Sequence, residues 1–194
     1  MLCPFAKDSQ YDVRSFDSPK TLHEAIKKKA ETDSLSRIVA TYDWPYNKKE
    51  SPSDGGYWSV SIGNWSLPWN YETEKELTPK EQRANKSKAW AEQEHTIDEV
   101  GSTFTIQGFD LSYVGVILGP SVKYRNGEIV FDPSESHNNK ATQRRTLKDG
   151  SKVSFGETFI RNEVKVLLTR GVKGLYIYAC DNALRDALKR IAGI

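Results

Sequence analysis

Two cysteines, one methionine and three histidines are all that 194 residues supply of the softer ligand and redox chemistry. Cys3 and Cys180 stand far apart, one near a terminus, so they need not pair, and a disulfide-stapled scaffold is not expected. His23, His95 and His137 do not combine with either cysteine at metal-ligand spacing, so no metal site is expected. No apolar run approaches the roughly 20 residues that cross a bilayer, so no membrane partner is expected. The first ten residues, MLCPFAKDSQ, lack a basic segment followed by an apolar one, so no secretory signal is expected and the cytoplasm is the expected location. Charge of one sign is also scarce. Lys and Arg number 28 against 26 Asp and Glu, a net +2 that permits nucleic-acid contact without arguing for it. A mean hydropathy of −0.64 describes a polar globular chain, and its length suits one domain with a proper core.

What is present alternates between strand and helix signals. Residues 11–16 (YDVRSF) read as a strand. Asp17, Ser18 and Pro19 then supply a cap and a first-turn proline for a helix that places Leu22, Ala25 and Ile26 on one face. The lysines at 20 and 27–29 fall on the other faces, as a solvated surface or, less readily, a phosphate track. Residues 37–42 (RIVATY) read as the next strand. An insertion is expected over 47–98: a hairpin at 57–63 and 66–69, then a charged surface helix over 77–93. Trp44, Trp58, Trp65 and Trp69 cluster there. Trp44 and Trp58 are candidates to stack unpaired bases, although a satellite core is the commoner use of such a cluster. Residues 123–132 carry an Asn-Gly hairpin turn, and 133–152 read as a polar loop. A helix over 159–169, a strand over 175–179 and a helix over 183–191 capped by Asp181 close the chain. This order predicts an α/β fold, a parallel sheet flanked by helices and interrupted by a β-hairpin insertion.

The segment 99–120, EVGSTFTIQGFDLSYVGVILGP, organises the rest. Its right half is a strand buried on both faces. Its left half gathers Ser102, Thr103, Thr105, Gln107 and Asp110 around Gly108, a mix that makes a poor core and a good ligand cradle. Glycine lets backbone approach a phosphate, hydroxyls and N–H groups donate to it, and an acid can accept from a ribose. A solvated turn is the competing reading. Arg170 ends the helix that precedes the last strand. Its guanidinium suits the spread charge of a transferring phosphoryl group, or else simply stabilises the helix C-terminus.

STFTIQGFDLSYVGVI resembles motif V of superfamily one helicases, and VLLTRGVKGLYIY, residues 166–178, resembles motif VI. With RIVATYDWPY (37–46), the pair is most similar to a family of uncharacterised domains grouped with Schlafen-like DNA/RNA helicases, from about residue 11 to 191. The resemblance implies a second RecA-like domain, of the P-loop NTPase type, across residues 1–194. It implies that Arg170 is a catalytic arginine finger positioned by Thr169, and that Gln107, Gly108 and Asp110 face ATP. Ser102 and Thr105 would then contact phosphate on the nucleotide or nucleic-acid side. It further implies an N-terminal RecA-like domain of the same longer protein as partner. That domain would supply the phosphate loop and Mg, since no G-x-x-x-x-G-K-[ST] motif occurs here. Negligible ATPase activity is expected of this chain alone. The alternative is a non-catalytic module that keeps the fold and binds nucleic acid or protein. One departure stands out: the family pattern has histidine where this chain has Phe104.

Overall fold

The computed structural model of the protein describes residues 11–146 and 148–192. The expected N-terminal arm, with Cys3, lies outside them. Five parallel strands make the central sheet: β1 (Asp12–Ser15), β2 (Arg37–Ala40), β5 (Val100–Gly101), β6 (Leu111–Leu118) and β11 (Gly171–Ala179), in the spatial order β1-β11-β6-β2-β5. Three antiparallel hairpins stand outside it: β3 (Ser59–Ile62) with β4 (Trp65–Pro68), β7 (Val122–Arg125) with β8 (Glu128–Phe131), and β9 (Arg144–Thr146) with β10 (Lys152–Ser154). The helices are α1 (Pro19–Ala30), α2 (Pro79–Asn85), α3 (Asn139–Thr142), α4 (Gly156–Leu168) and α5 (Asn182–Ala192).

Both faces of the sheet are covered, which is why its central strands are apolar almost without interruption. Leu111, Val114, Val116 and Leu118 of β6 enter one layer with Leu175, Ile177 and Ala179 of β11, against Ile160, Val164 and Leu167 of α4 and Leu184 and Leu188 of α5. The intervening Ile117, Tyr176 and Tyr178 enter the opposite layer with Leu22 and Ile26 of α1. Period-two alternation thus sorts one apolar run into two cores. Gly115 permits this layer to close: a Cβ there would meet the Ile26 side chain at 2.8 Å.

The local signals operate as their chemistry requires. The Ser18 hydroxyl accepts from the Thr21 N–H at 3.1 Å and starts α1 with Pro19 in its first turn. Asp181 accepts from the Leu184 N–H at 2.9 Å and starts α5. Asn126 and Gly127 both take positive φ, 52° and 86°, the turn that joins β7 to β8.

Two stretches differ from the sequence-based expectation. The charged helix over 77–93 is only the seven-residue α2, opened by a Thr78–Glu81 capping box, followed by 3-10 turns at Trp90–Glu92 and Glu94–Asp98. Trp90 is the reason. It is 2 % exposed and joins the β6 layer, so the chain dives inward where a straight surface helix would continue outward. The polar stretch 133–152 carries a 3-10 turn at Pro133–Glu135, α3 and the strand β9.

Candidate functional site

Topology alone decides what segment 102–110 can reach. Gly101 of β5 pairs with Val39 of β2, and Val39 pairs with Val116 of β6. Because β5 and β6 are parallel, the chain must return from the level of Val116 to the level of Leu111 before β6 begins. That is five strand residues, about 17 Å. Segment 102–110 therefore starts at the C-terminal edge of the sheet and ends at its N-terminal edge, with Ile106 fully buried in the β6 layer on the way.

Asp110 and Arg170 lie at the N-terminal edge, each immediately before its strand, on adjacent strands. The Leu111 N–H donates to the Arg170 carbonyl at 2.8 Å. Arg170 Nη1 meets Asp110 Oδ1 at 3.3 Å, with the side chains 25 % and 66 % exposed. Its Nε donates to the Val166 carbonyl at 3.2 Å, so the guanidinium also closes the C-terminus of α4. Both sequence-based roles of Arg170 are thus open to it geometrically. Nη2 carries no hydrogen bond among the described residues. An exposed ion pair of this kind contributes about 0–1 kcal/mol. The Thr169 hydroxyl donates to the Lys165 carbonyl at 2.9 Å and finishes the same helix end. Gln107 is exposed three residues ahead of Asp110, and Gly108 turns the chain there at φ 74°.

The two hydroxyls expected to touch phosphate are placed otherwise. Ser102 is fully buried and donates to Asn70 Oδ1 at 2.7 Å. Thr105 accepts from the Ser102 N–H and donates to the Ser102 carbonyl, both at 2.9 Å. They hold the turn and have no free face toward solvent. The tryptophans behave similarly. Trp44 Nε1 donates to the Ser61 carbonyl at 3.2 Å, and Trp58 Nε1 to the carbonyls of Asn47 and Glu50 at 3.1 and 2.9 Å. Both rings pack on the α1 layer around buried Trp69.

The C-terminal edge holds what sequence reasoning missed. Asp43, just past β2, accepts from the Thr41 hydroxyl at 3.1 Å and the Ser121 N–H at 2.8 Å, and its second oxygen is buried without a partner among the described residues. Glu163 of α4 accepts from the Tyr42 N–H at 3.0 Å. Burial, and then the neighbouring Asp43 charge, push the Glu163 carboxyl up to about 8. Nearby, Asn70 and Tyr71 take positive φ, 55° and 65°. Their turn is tied to Glu99, which accepts from the Glu72 N–H at 3.0 Å and from the Thr73 hydroxyl. Burial raises Glu99 to about 7, although these hydrogen bonds pull it down. Consecutive non-glycine residues in the left-handed region carry no strong sequence signature beyond the tolerance of Asn for it.

A cleft of about 680 Å³ lies elsewhere, beside Arg37. That guanidinium donates to Thr96 Oγ1 and to the carbonyls of Ser34, Ser36 and Gln93, so it ties the insertion to β2. Among the described residues no group of three or more His, Cys, Asp or Glu side chains is placed to hold a metal. No helix among them is long and apolar enough to cross a membrane.

A five-stranded all-parallel sheet flanked by helices gives the chain a RecA-like α/β fold. Comparison with known families agrees: residues 3–181 match the model of the Schlafen group 3 DNA/RNA helicase domain. The chain belongs to that family. It is also 39 % identical over 193 residues to an uncharacterised protein of Saccharomyces cerevisiae, an alignment covering 97 % of this chain and 38 % of the relative. The chain thus spans well under half the length of that relative. No solved structure matches it.

Proposed function

We propose that this domain forms one wall of a nucleotide cleft in a nucleic-acid-dependent ATPase or helicase. The observation that carries the proposal is the Arg170–Asp110 pair, half-exposed on one edge of the sheet beside exposed Gln107. In this reading Arg170 leaves Asp110 for the γ-phosphoryl oxygens, where an arginine finger contributes on the order of 10³–10⁵ in rate. Thr169 and the Val166 carbonyl hold its stem, and Asp110, once released, faces the ribose side. The residues present fit the spread anionic charge of a triphosphate but offer no phosphate loop and no metal ligands. A separate RecA-like domain would supply the phosphate loop and Mg.

The test joins this chain to such a domain and measures ATP turnover. Arg170→Ala should lower turnover by at least about a hundredfold, and Arg170→Lys should not restore it, because a lysine lacks the planar fork. Asp110→Asn should change turnover far less than Arg170→Ala. Turnover that survives Arg170→Ala, in a variant whose circular dichroism is unchanged, would remove the proposal.

A further inference from the structure

One cation in the interior lacks a counter-charge. Arg37, the first residue of β2, is 4 % exposed, yet its guanidinium bonds only to neutral oxygens. Nε donates to Thr96 Oγ1, Nη1 to the Ser34 and Ser36 carbonyls, and Nη2 to the Gln93 carbonyl. A guanidinium carries five N–H donors, so one on Nη2 stays unused by these bonds. Arginine is seldom buried this far without a carboxylate beside it. Burial alone acts on this one, pulling it down to about 10, and no carboxylate opposes the shift. Arg37 is in the wall of the cleft of about 680 Å³, whose apolar lining is Ala30 at the end of α1, Leu35, Ala91 and Ile97. That volume is within the roughly 300–1,000 Å³ of a whole-ligand pocket. The remaining charges stand on its exposed rim: Lys27, tied to Asp98 at 2.8 Å, and Lys88, against Glu31, Glu92 and Glu94.

We infer that this cleft binds a small monocarboxylate with an apolar body, its carboxylate set against Arg37 and its body against Ala30, Leu35, Ala91 and Ile97. Charge selects the head group. The unbalanced buried charge is positive, so a single negative charge completes it. Beside a buried group an ionic contact is about four times stronger than the same contact in open water, which sends the carboxylate to Arg37 and not to the rim lysines. The rim selects against a second charge. Three glutamates stand there against two lysines, one of them already paired, so a dianion is repelled. The same balance argues against polyphosphates and a sugar–phosphate backbone as occupants. The cleft is at the N-terminal edge of the sheet, where the Ser112 N–H donates to the Leu35 carbonyl at 2.8 Å, one strand across from Asp110. It is thus a neighbour of the guanidinium–carboxylate pair but built from different residues, and the inference does not rest on the role of that pair.

The test titrates the isotope-labelled 194-residue chain with naphthylacetate to about 5 mM and reads amide chemical shifts by NMR. Shifts should centre on Ala30, Leu35 and Ala91, with a Kd of about 1 mM or tighter, as a ligand of that size allows. Naphthylacetamide, the same shape without the charge, should bind about tenfold or more weakly, the loss expected of a hydrogen bond to a charged group. Naphthalenedicarboxylate should bind more weakly than the monoanion. Glu31→Gln combined with Glu94→Gln should recover the dianion several-fold while changing the monoanion less. Ala30→Phe should fill the cleft and abolish binding; Arg37 is left intact, since its bonds tie the insertion to β2. The inference is overturned if the parent shows no such shifts, if the acetamide binds as well as the acetate, or if the dicarboxylate binds best. It is equally overturned if Ala30→Phe, folded by circular dichroism, binds as the parent does, or if ADP displaces naphthylacetate and so returns the cleft to the nucleotide wall. Should Ala30→Phe not fold, the ligand series on the parent chain decides alone. Loss of turnover in Arg170→Ala with no naphthylacetate binding to the parent would sink this site and leave the nucleotide cleft standing.

Discussion

Glu163 shows how a single side chain can couple stability to pH. Its folded carboxyl titrates near 8, held there by burial and by Asp43, against an ordinary glutamate in the unfolded chain. A raised acid stabilises the fold while protonated, and that contribution disappears as pH climbs from about 4.5 through 8. Glu99, raised to about 7, acts in the same direction. Stability in urea should therefore fall by several kcal/mol between pH 5 and 8.5, at about 1.4 kcal/mol for each unit by which a carboxyl is raised. Glu163→Gln, which keeps an acceptor for the Tyr42 N–H, should flatten that decline. An equally steep pH profile in the variant would show that other groups produce it. Gly119 tests the same cluster by size: a Cβ would come within 2.9 Å of the Asp43 Cβ and Cγ. Gly119→Ala should cost about 1–3 kcal/mol, measurable as a lower urea midpoint at constant slope.

Elements were legible where one chemical signal controlled them. Ser18–Pro19, Asp181 and Asn126–Gly127 each sit where cap or turn chemistry puts them. Gly127→Ala, at φ 86°, should cost about 1 kcal/mol through backbone strain alone, seen as a small drop in thermal midpoint with β6 and β11 amide protection unchanged. The charged run 77–93 was misleading because Trp90 contributes one ring to the core and overrides its mostly polar or small neighbours. Arg170 and Asp110 were legible as residues but not as a pair. Sixty positions separate them, and only the adjacency of β6 and β11 brings them together. The burial of Ser102 and Thr105 had no sequence signal either, since a hydroxyl that caps a turn and one that binds phosphate look alike.

For the molecule as a whole, the sheet has two differently equipped ends. One carries the guanidinium and carboxylate; the other carries the exposed Phe104 and Tyr71, with the buried acids Asp43 and Glu99 nearby. The tryptophan hairpin belongs to neither end but to the α1 layer. Trp58→Ala should therefore cost about 3 kcal/mol in stability, as large aromatic truncations do, while oligonucleotide affinity of the folded fraction stays unchanged. An affinity loss without a stability loss would return Trp58 to the surface role that its sequence cluster also allowed. The alternation of strand and helix made the parallel sheet readable from the chain, whereas the assignment of each layer needed Gly115 and the tyrosines of β11 in three dimensions.

Segment 102–110 covers about 17 Å with nine residues, a little over half of what nine extended residues could span, so it is folded along the way and not drawn taut. What fixes its path is Ile106, buried at midspan. A displacement of Phe104 at one tip reaches Asp110 at the other only by moving that anchor. Truncating Ile106 to alanine should therefore loosen both tips together while leaving each chemically intact.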